Sequence, residues 1–283
     1  MNNILTAITS IVSNSLTTSH VEYSATSHNR MNQMGEGLEC FVKKAFANCL
    51  DSSDQMHINK EISDTFSYIG NSNNPPDAML WNGDAIEIKK VENKGLGQIQ
   101  LNSSYPKNML FSDYPKINEK CKTCETWDKK EMLYVIGCIN AKQLKTLFFV
   151  YGDIYCDERN VYEKTEKSIK ENIATLPDVE LSETNELGRI SKIDHLEISD
   201  LRIRGMWLIK SPLKVFEYLT TDRNDYIFKL EALIPNRIYE SFSNRSEFES
   251  FATSNKITIK DVQVQNPQNP ANLINTKLIT YYI

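Results

Sequence analysis

The sequence predicts an α/β fold, a mixed sheet flanked by helices, and three observations carry that prediction. Between Met31 and Leu50 the apolar residues Leu38, Phe41, Val42, Ala45, Phe46 and Cys49 recur at helical spacing. From about residue 76 to 92, two short apolar runs flank an Asn82-Gly83 turn, which is a hairpin signal. Later runs at Met132 to Ile139 and Thr146 to Tyr151 are rich in aromatic and β-branched residues and read as strands. With 283 residues, 40% hydrophobic and 24% charged, the chain has an ordinary globular composition, and a single elaborated domain over 1–283 is expected.

Taken in order, Ile4, Leu5, Ile8, Ile11, Val12 and Leu16 form an amphipathic pattern without a basic leader, so a helix packed on the body is expected rather than a signal peptide. No apolar run is long enough to span a membrane. After the helix of Met31 to Leu50, Pro75 and Pro76 remove two backbone donors and cannot continue a helix, so the chain enters the hairpin extended. Between Asp153 and Asp200 there are 13 acids against 6 bases, with helical spacing over Tyr162 to Ile173, which predicts an acidic helical insertion. Leu201 to Trp207 alternates like one strand, with Arg202 and Arg204 on the same face. Strands are expected at Tyr226 to Ile234, Ile257 to Ile259 and Leu278 to Ile283. They surround a short helix that begins near Asn244, with Glu247 three residues on, and a loop at Asn266 to Pro270.

Six cysteines in a chain of this length are too sparse for a disulfide framework and suit free thiols in a reducing cytoplasm. Cys121-Lys122-Thr123-Cys124 has the spacing of half a zinc site. A structural Zn²⁺ there needs Cys138, Cys156 or His195 as a further ligand; free thiols are the alternative. The net charge of −5 gives no global attraction to nucleic acid. Its distribution is uneven: Ala85 to Lys130 holds nine lysines against six acids, while the acidic excess is concentrated in the insertion, which is expected to face away from any DNA.

The chemistry centres on Pro76-Asp77 and, after nine residues, Glu87-Ile88-Lys89. Residues i and i+2 of a strand share a face, so Glu87 and Lys89 project together. Whether Asp77 joins them depends on the turn. A two-residue Asn82-Gly83 loop sets Trp81 opposite Asp84 and sends Asp77 to the other face. A three-residue Trp81-Asn82-Gly83 loop, with Gly83 left-handed at a bulge, sets Leu80 opposite Asp84 and Asp77 opposite Glu87. Only the second gathers two carboxylates and an ammonium. Such a pair of carboxylates is suited to Mg²⁺, and with a lysine it supplies what phosphodiester hydrolysis requires. A turn aspartate followed by an exposed Glu-x-Lys ion pair is the plainer alternative.

These residues form the pattern of the PD-(D/E)xK nucleases. The run Asn73 to Asp77, Gly83 to Lys90 and Leu101 to Lys107 resembles the NgoPII-type restriction endonucleases, as do Leu38-Glu39, Leu110 to Asp113, Glu186 to Arg189, Leu201 to Trp207, Pro212 to Phe216 and Lys277 to Thr280. The resemblance implies a PD-(D/E)xK, restriction-endonuclease-like fold and a Type II restriction endonuclease that cuts double-stranded DNA at GGCC with Mg²⁺; a repair or structure-specific nuclease of the same fold, or a DNA-binding module with an inactive acidic site, is the alternative. It places catalysis on Asp77, Glu87 and Lys89, and the metal on Asp77 and Glu87. Glu39 is then a candidate accessory acid, or else a solvated charge at the helix edge. It further implies a bacterial cytoplasmic enzyme working alongside a cognate DNA methyltransferase.

A palindromic site suits a homodimer, since each subunit reads one half-site. Arginine matches the O6 and N7 acceptors of guanine with a bidentate fork, so Arg202 and Arg204 are candidates to read the two guanines, phosphate contact or a surface ion pair being the alternative. Asn102, Ser103, Ser104 and Lys107 follow the hairpin closely and are candidate DNA contacts, though short polar side chains before Pro106 also suit an ordinary turn.

Overall fold

A computed structural model describes residues 2–14, 30–71, 74–92, 97–102, 104–140, 143–175, 179–180, 187–190, 194–196, 198–219 and 226–283. Helix α1 (Ile4–Ser13) is fixed by a capping box: the Asn3 side chain accepts from the Leu5 and Thr6 backbone N–H groups, and Thr6 Oγ1 accepts from the Asn3 N–H. Its Ile4, Leu5, Ile8, Ile11 and Val12 are all buried, as their spacing predicts; Leu16 lies outside the described residues. Helix α2 (Arg30–Phe46) packs beside α1, burying Leu38, Val42, Ala45 and Phe46, and α3 (Gln55–Thr65), capped by Asp54, leads into the sheet.

The strands are β1 (Phe66–Asn71), β2 (Asn74–Leu80), β3 (Ala85–Glu92), β4 (Gln98–Asn102), β5 (Met109–Phe111), β6 (Lys129–Asn140), β7 (Gln143–Tyr151), β8 (Val179–Glu180), β9 (Gly188–Ile190), β10 (Leu201–Ile203), β11 (Met206–Lys210), β12 (Lys229–Pro235), β13 (Thr258–Asn266) and β14 (Asn269–Tyr282). Nine of them form one sheet in the order β1-β2-β3-β6-β7-β12-β14-β13, with β5 pairing to β6. The β3–β6 and β7–β12 pairs are parallel and the other pairs antiparallel, so the sheet is mixed as expected. Strands β6, β7 and β12 are buried almost throughout and largely apolar, because strands covered on both faces cannot alternate; the buried charges Lys229 and Glu231 of β12 pair with each other. The remaining helices are α4 (Glu119–Thr123), α5 (Arg159–Ile173), α6 (Pro212–Val215), α7 (Asn236–Tyr239) and α8 (Arg245–Ser254). Among the described residues no helix is long and apolar enough to cross a membrane.

One glycine sets the spacing between layers. A Cβ added to Gly137 of β6 would lie 2.6 Å from Leu38 Cδ2, so the Leu38 side chain of α2 rests directly on the β6 backbone. The Lys90↔Gly137 and Glu87↔Tyr134 pairs of the parallel β3–β6 register place α2 on the face opposite that carrying Glu87.

Three expectations change. The run Leu201 to Trp207 is not one strand: β10 pairs with β9, β11 pairs with β4, and the chain changes partner at Arg204-Gly205. Gly205 sits where a Cβ would meet Leu187 Cδ1 at 3.1 Å, and alternation of side chains carries no record of such an exchange. Asn244 does precede α8 but makes no capping bond. Its amide is bonded to Asn3, joining the ends of α8 and α1. The expected loop at Asn266 to Pro270 is the tight end of a long hairpin, with β13 and β14 pairing from Thr258↔Thr280 out to Asn266↔Asn269. The acidic insertion holds α5, as predicted, and also β8 and β9 of a three-stranded sheet completed by β10.

Candidate active site

The β2–β3 register is Ala78↔Ile86 and Met79↔Ala85, which places Asp77 opposite Glu87. The Leu80 N–H donates to the Asp84 carbonyl at 3.0 Å, so the turn is the three-residue Trp81-Asn82-Gly83 loop. The left-handed residue is Asn82 (φ 50°), not Gly83 as expected. Asparagine tolerates that region better than other residues bearing a Cβ. The turn is clamped from outside the hairpin. Lys130 Nζ donates to the carbonyls of Leu80 (3.0 Å) and Gly83 (2.9 Å) and pairs with Glu125 at 2.7 Å. Glu125 in turn accepts from the Asn82 N–H at 2.8 Å and from Ser67 Oγ at 2.7 Å.

The register brings three charges together. Lys89 Nζ lies 2.5 Å from Glu87 Oε1 and 3.6 Å from Asp77 Oδ2, and the Ile88 N–H donates to Asp77 Oδ2 at 2.6 Å. All three side chains are mostly buried, at 14% exposure for Asp77, 12% for Glu87 and 24% for Lys89. Burial and the neighbouring Glu87 push the Asp77 carboxyl up to about 7, against the pull of Lys89. Burial works against the Lys89 ammonium, but Glu87 and Asp77 hold its pKa above the ordinary lysine value. Glu87 Oε2 is buried and accepts no hydrogen bond among the described residues. Two close carboxylates, one with an unused buried oxygen, make a donor set with the hard oxygens and low ligand count that Mg²⁺ accepts. No third His, Cys, Asp or Glu joins them among the described residues, so further ligands would be water or substrate oxygens.

Asp77, Glu87 and Lys89 line a cavity of about 160 Å³. Ser104 and Lys107 line it too, as do three residues that the sequence did not single out, Gln100, Tyr105 and Tyr134. Tyr134 pairs with Glu87 in the parallel register, and its hydroxyl accepts from the Lys107 N–H at 2.7 Å. Its signal was invisible because an aromatic residue inside an apolar strand reads as core.

The other candidates are placed differently. Glu39 does not line the cavity: its helix covers the opposite face of the sheet and its carboxylate pairs with Lys43 at 3.2 Å, though its negative charge still raises Asp77. Asn102 is placed by its backbone in β4, opposite Met206, and Ser103 lies outside the described residues. Arg202 and Arg204 are exposed and lie outside the cavity. Cys121 is buried with Sγ 3.7 Å from Met79 Sδ, its thiol pushed up to about 12 by burial, and Cys124 Sγ lies 3.2 Å from the Cys121 carbonyl. With no metal-binding cluster among the described residues, zinc at Cys121 and Cys124 finds no support; the pair packs as thiols under the hairpin.

The acidic insertion does not turn away from the site. Tyr162 of α5 stacks on Tyr105 with ring centroids 5.4 Å apart, and Glu163 accepts from the Tyr105 hydroxyl at 3.0 Å. Glu166 binds Lys116 at 2.7 Å and accepts from Trp207 Nε1 at 3.1 Å. These acids are spent on docking α5 against the cavity wall and the β4–β11 ribbon.

Residues 2–265 match the NgoPII restriction endonuclease family. The chain is 40% identical to the Type II restriction enzyme NgoPII of Neisseria gonorrhoeae over 282 residues, 99% of this chain and all of that protein. No solved structure matches it. The chain therefore belongs to the NgoPII restriction endonuclease family and is an enzyme of the Type II restriction class.

Proposed function

We propose that this member of the NgoPII restriction endonuclease family hydrolyses double-stranded DNA at a short palindrome, GGCC, through a Mg²⁺-dependent PD-(D/E)xK site made by Asp77, Glu87 and Lys89. The observation that carries the reading is the hairpin register: Asp77 opposite Glu87, with Lys89 against both and one Glu87 oxygen unused. Asp77 and Glu87 are the residues that would hold the ion. The chemistry expected of bound Mg²⁺ is charge neutralisation at the phosphoryl oxygens and easier deprotonation of the attacking water. Lys89, whose positive charge is secured by both carboxylates, stabilises the charge that grows on the phosphate and orients the water. The Ile88 N–H fixes the direction of the Asp77 carboxylate. Glu39 is an accessory acid that acts through its charge from the other side of the sheet, not as a ligand.

Specificity and assembly belong to the same reading. Arg202 and Arg204 read the guanines, while Asn102, Ser103, Ser104 and Lys107 contact the DNA beside the cut. The enzyme works as a homodimer in the bacterial cytoplasm, with a cognate methyltransferase protecting the host sites. Salt-sensitive binding follows from the lysine-rich stretch Ala85 to Lys130.

Incubation with Mg²⁺ and plasmid DNA, followed by sequencing of the ends, tests the reading. Discrete ends at GGCC are expected. Asp77→Ala, Glu87→Ala and Lys89→Ala should each lower the cleavage rate by ~10³-fold or more, since each removes electrostatic stabilisation of several kcal/mol. Wild-type rates in all three variants would remove the proposed site.

A further inference from the structure

The cavity holds a second ammonium whose environment differs from that of every other buried lysine among the described residues. Lys130, Lys229 and Lys116 are each paired with a carboxylate, at 2.7, 2.9 and 2.7 Å, and Lys89 has two. Lys107 is 7% exposed and has no carboxylate within ion-pair distance among the described residues. Its Nζ donates to Ser104 Oγ, approaches the Tyr105 carbonyl at 3.4 Å and lies 4.9 Å from the centroid of the Tyr114 ring. A hydroxyl, a carbonyl and an aromatic face solvate a cation without neutralising it.

The backbone around it is fixed. The Lys107 N–H donates to Tyr134 Oη at 2.7 Å, and the Tyr134 hydroxyl donates back to the Lys107 carbonyl at 3.2 Å. Tyr134 itself stands beside Glu87 in the register, so Lys107 is tied to the catalytic strands. Burial pushes the ammonium down to about 8, with the Glu87 charge opposing and the Lys116 and Lys89 charges adding to the fall, so the fold holds its charge less firmly than that of an ordinary lysine. A lysine kept only for packing gains nothing from this arrangement, because a methionine would fill the same space without a buried charge.

We propose that Lys107, with Ser104, binds a non-bridging phosphate oxygen of the DNA backbone in this cavity, so that the phosphodiester anion is the contact counter-charge that Glu87, acting from beyond ion-pair distance, does not supply. The proposal rests on the reading of the cavity as the cleavage site and assigns the ligand of its second cation. It makes Lys107 a substrate-binding residue distinct from the Asp77-Glu87-Lys89 cluster. It also makes the free enzyme less stable at this point than it needs to be, as expected of a site built for a charged ligand.

Binding of Lys107→Met to a GGCC duplex, measured without divalent metal over a range of salt concentrations, tests it. The dissociation constant should rise at least about tenfold at low salt. The slope of log K against log salt should fall by about 0.9, the loss of one phosphate contact. Preference for GGCC over a scrambled duplex should not change, and the thermal midpoint of the free protein should hold or rise. An unchanged affinity and salt slope would overturn the proposal, and so would a lowered thermal midpoint, which marks a structural lysine. Failure of the cavity reading itself shows separately: Asp77→Asn would then cleave at the wild-type rate, whatever Lys107→Met does.

Discussion

Strands β2 and β3 carry their charges inside the nine-stranded sheet, each paired on both sides, and their turn is held by Lys130 and Glu125 from the start of β6 and the segment before it. The arginine-bearing segment from Leu201 to Lys210 is built the opposite way. It belongs to two small ribbons outside that sheet, changes partner at Arg204-Gly205, and leaves most of its side chains at least partly exposed. The difference separates two demands. On the proposed reading, carboxylates that share a metal must not move, and buried ion pairs resist movement because breaking one strands a charge. Side chains that read bases need reach and a surface position, and changing them disturbs little of the fold.

The largest effect that separates the two regions should come from the clamp. Lys130→Met leaves Glu125 in a site where both partners are almost fully buried, so it should cost ~3–5 kcal/mol in denaturant unfolding and lower cleavage as the turn relaxes. A cost below ~1 kcal/mol would mean that the hairpin holds its register unaided.

A smaller effect should appear with pH. Asp84, at the end of the turn, is buried and accepts from the Tyr151 hydroxyl at 2.7 Å. Burial raises its carboxyl to about 6, with the Tyr151 bond opposing, against an ordinary 3.8. The folded state therefore holds the proton more tightly. Above pH 6 the carboxylate is ionised in both states and its burial cost is fully present; as pH falls from about 6 to 4, the folded form gains up to ~3 kcal/mol relative to the unfolded one. Asp84→Asn should be the more stable protein at pH 7, with the gap closing towards pH 4. A gap independent of pH would show that Asp84 is not titrating in the fold.

The smallest effect belongs to the arginines and should leave folding untouched. Arg202→Ala and Arg204→Ala should each reduce discrimination between GGCC and single-base variants by ~1–3 kcal/mol, roughly 5- to 150-fold. Their unfolding should stay within ~0.5 kcal/mol of wild type. Cleavage rates and site preference that are both unchanged would place base reading elsewhere.

What was legible in the sequence follows the range of the forces involved. Helices α1 and α2 are written in local periodicity, the core strands β6 and β7 in runs of aromatic and β-branched residues, and the motif residues of the hairpin are visible as letters. The register was not, because Asn82-Gly83 accepts either loop and the decision is made by Lys130 and Glu125, more than 40 residues away. The same limit hid the exchange of partners at Gly205 and the pairing of Asn244 with Asn3, 241 residues apart. Charge counting erred in a related way. It ranked the insertion as acidic and hence remote, whereas Glu163 and Glu166 are neutralised or hydrogen-bonded at the cavity wall.

The seat of Leu38 on Gly137 has a further consequence for the proposed site. The missing side chain at Gly137 gives Leu38 its seat on β6, and the next residue of α2, Glu39, carries a charge that acts on Asp77 and Lys89. Coulomb attraction and repulsion both scale with the distance between charges. Seating α2 through a glycine therefore also brings an acidic charge within reach of the Asp77 carboxyl, so one packing contact of the scaffold bears on the proton affinity of the proposed site.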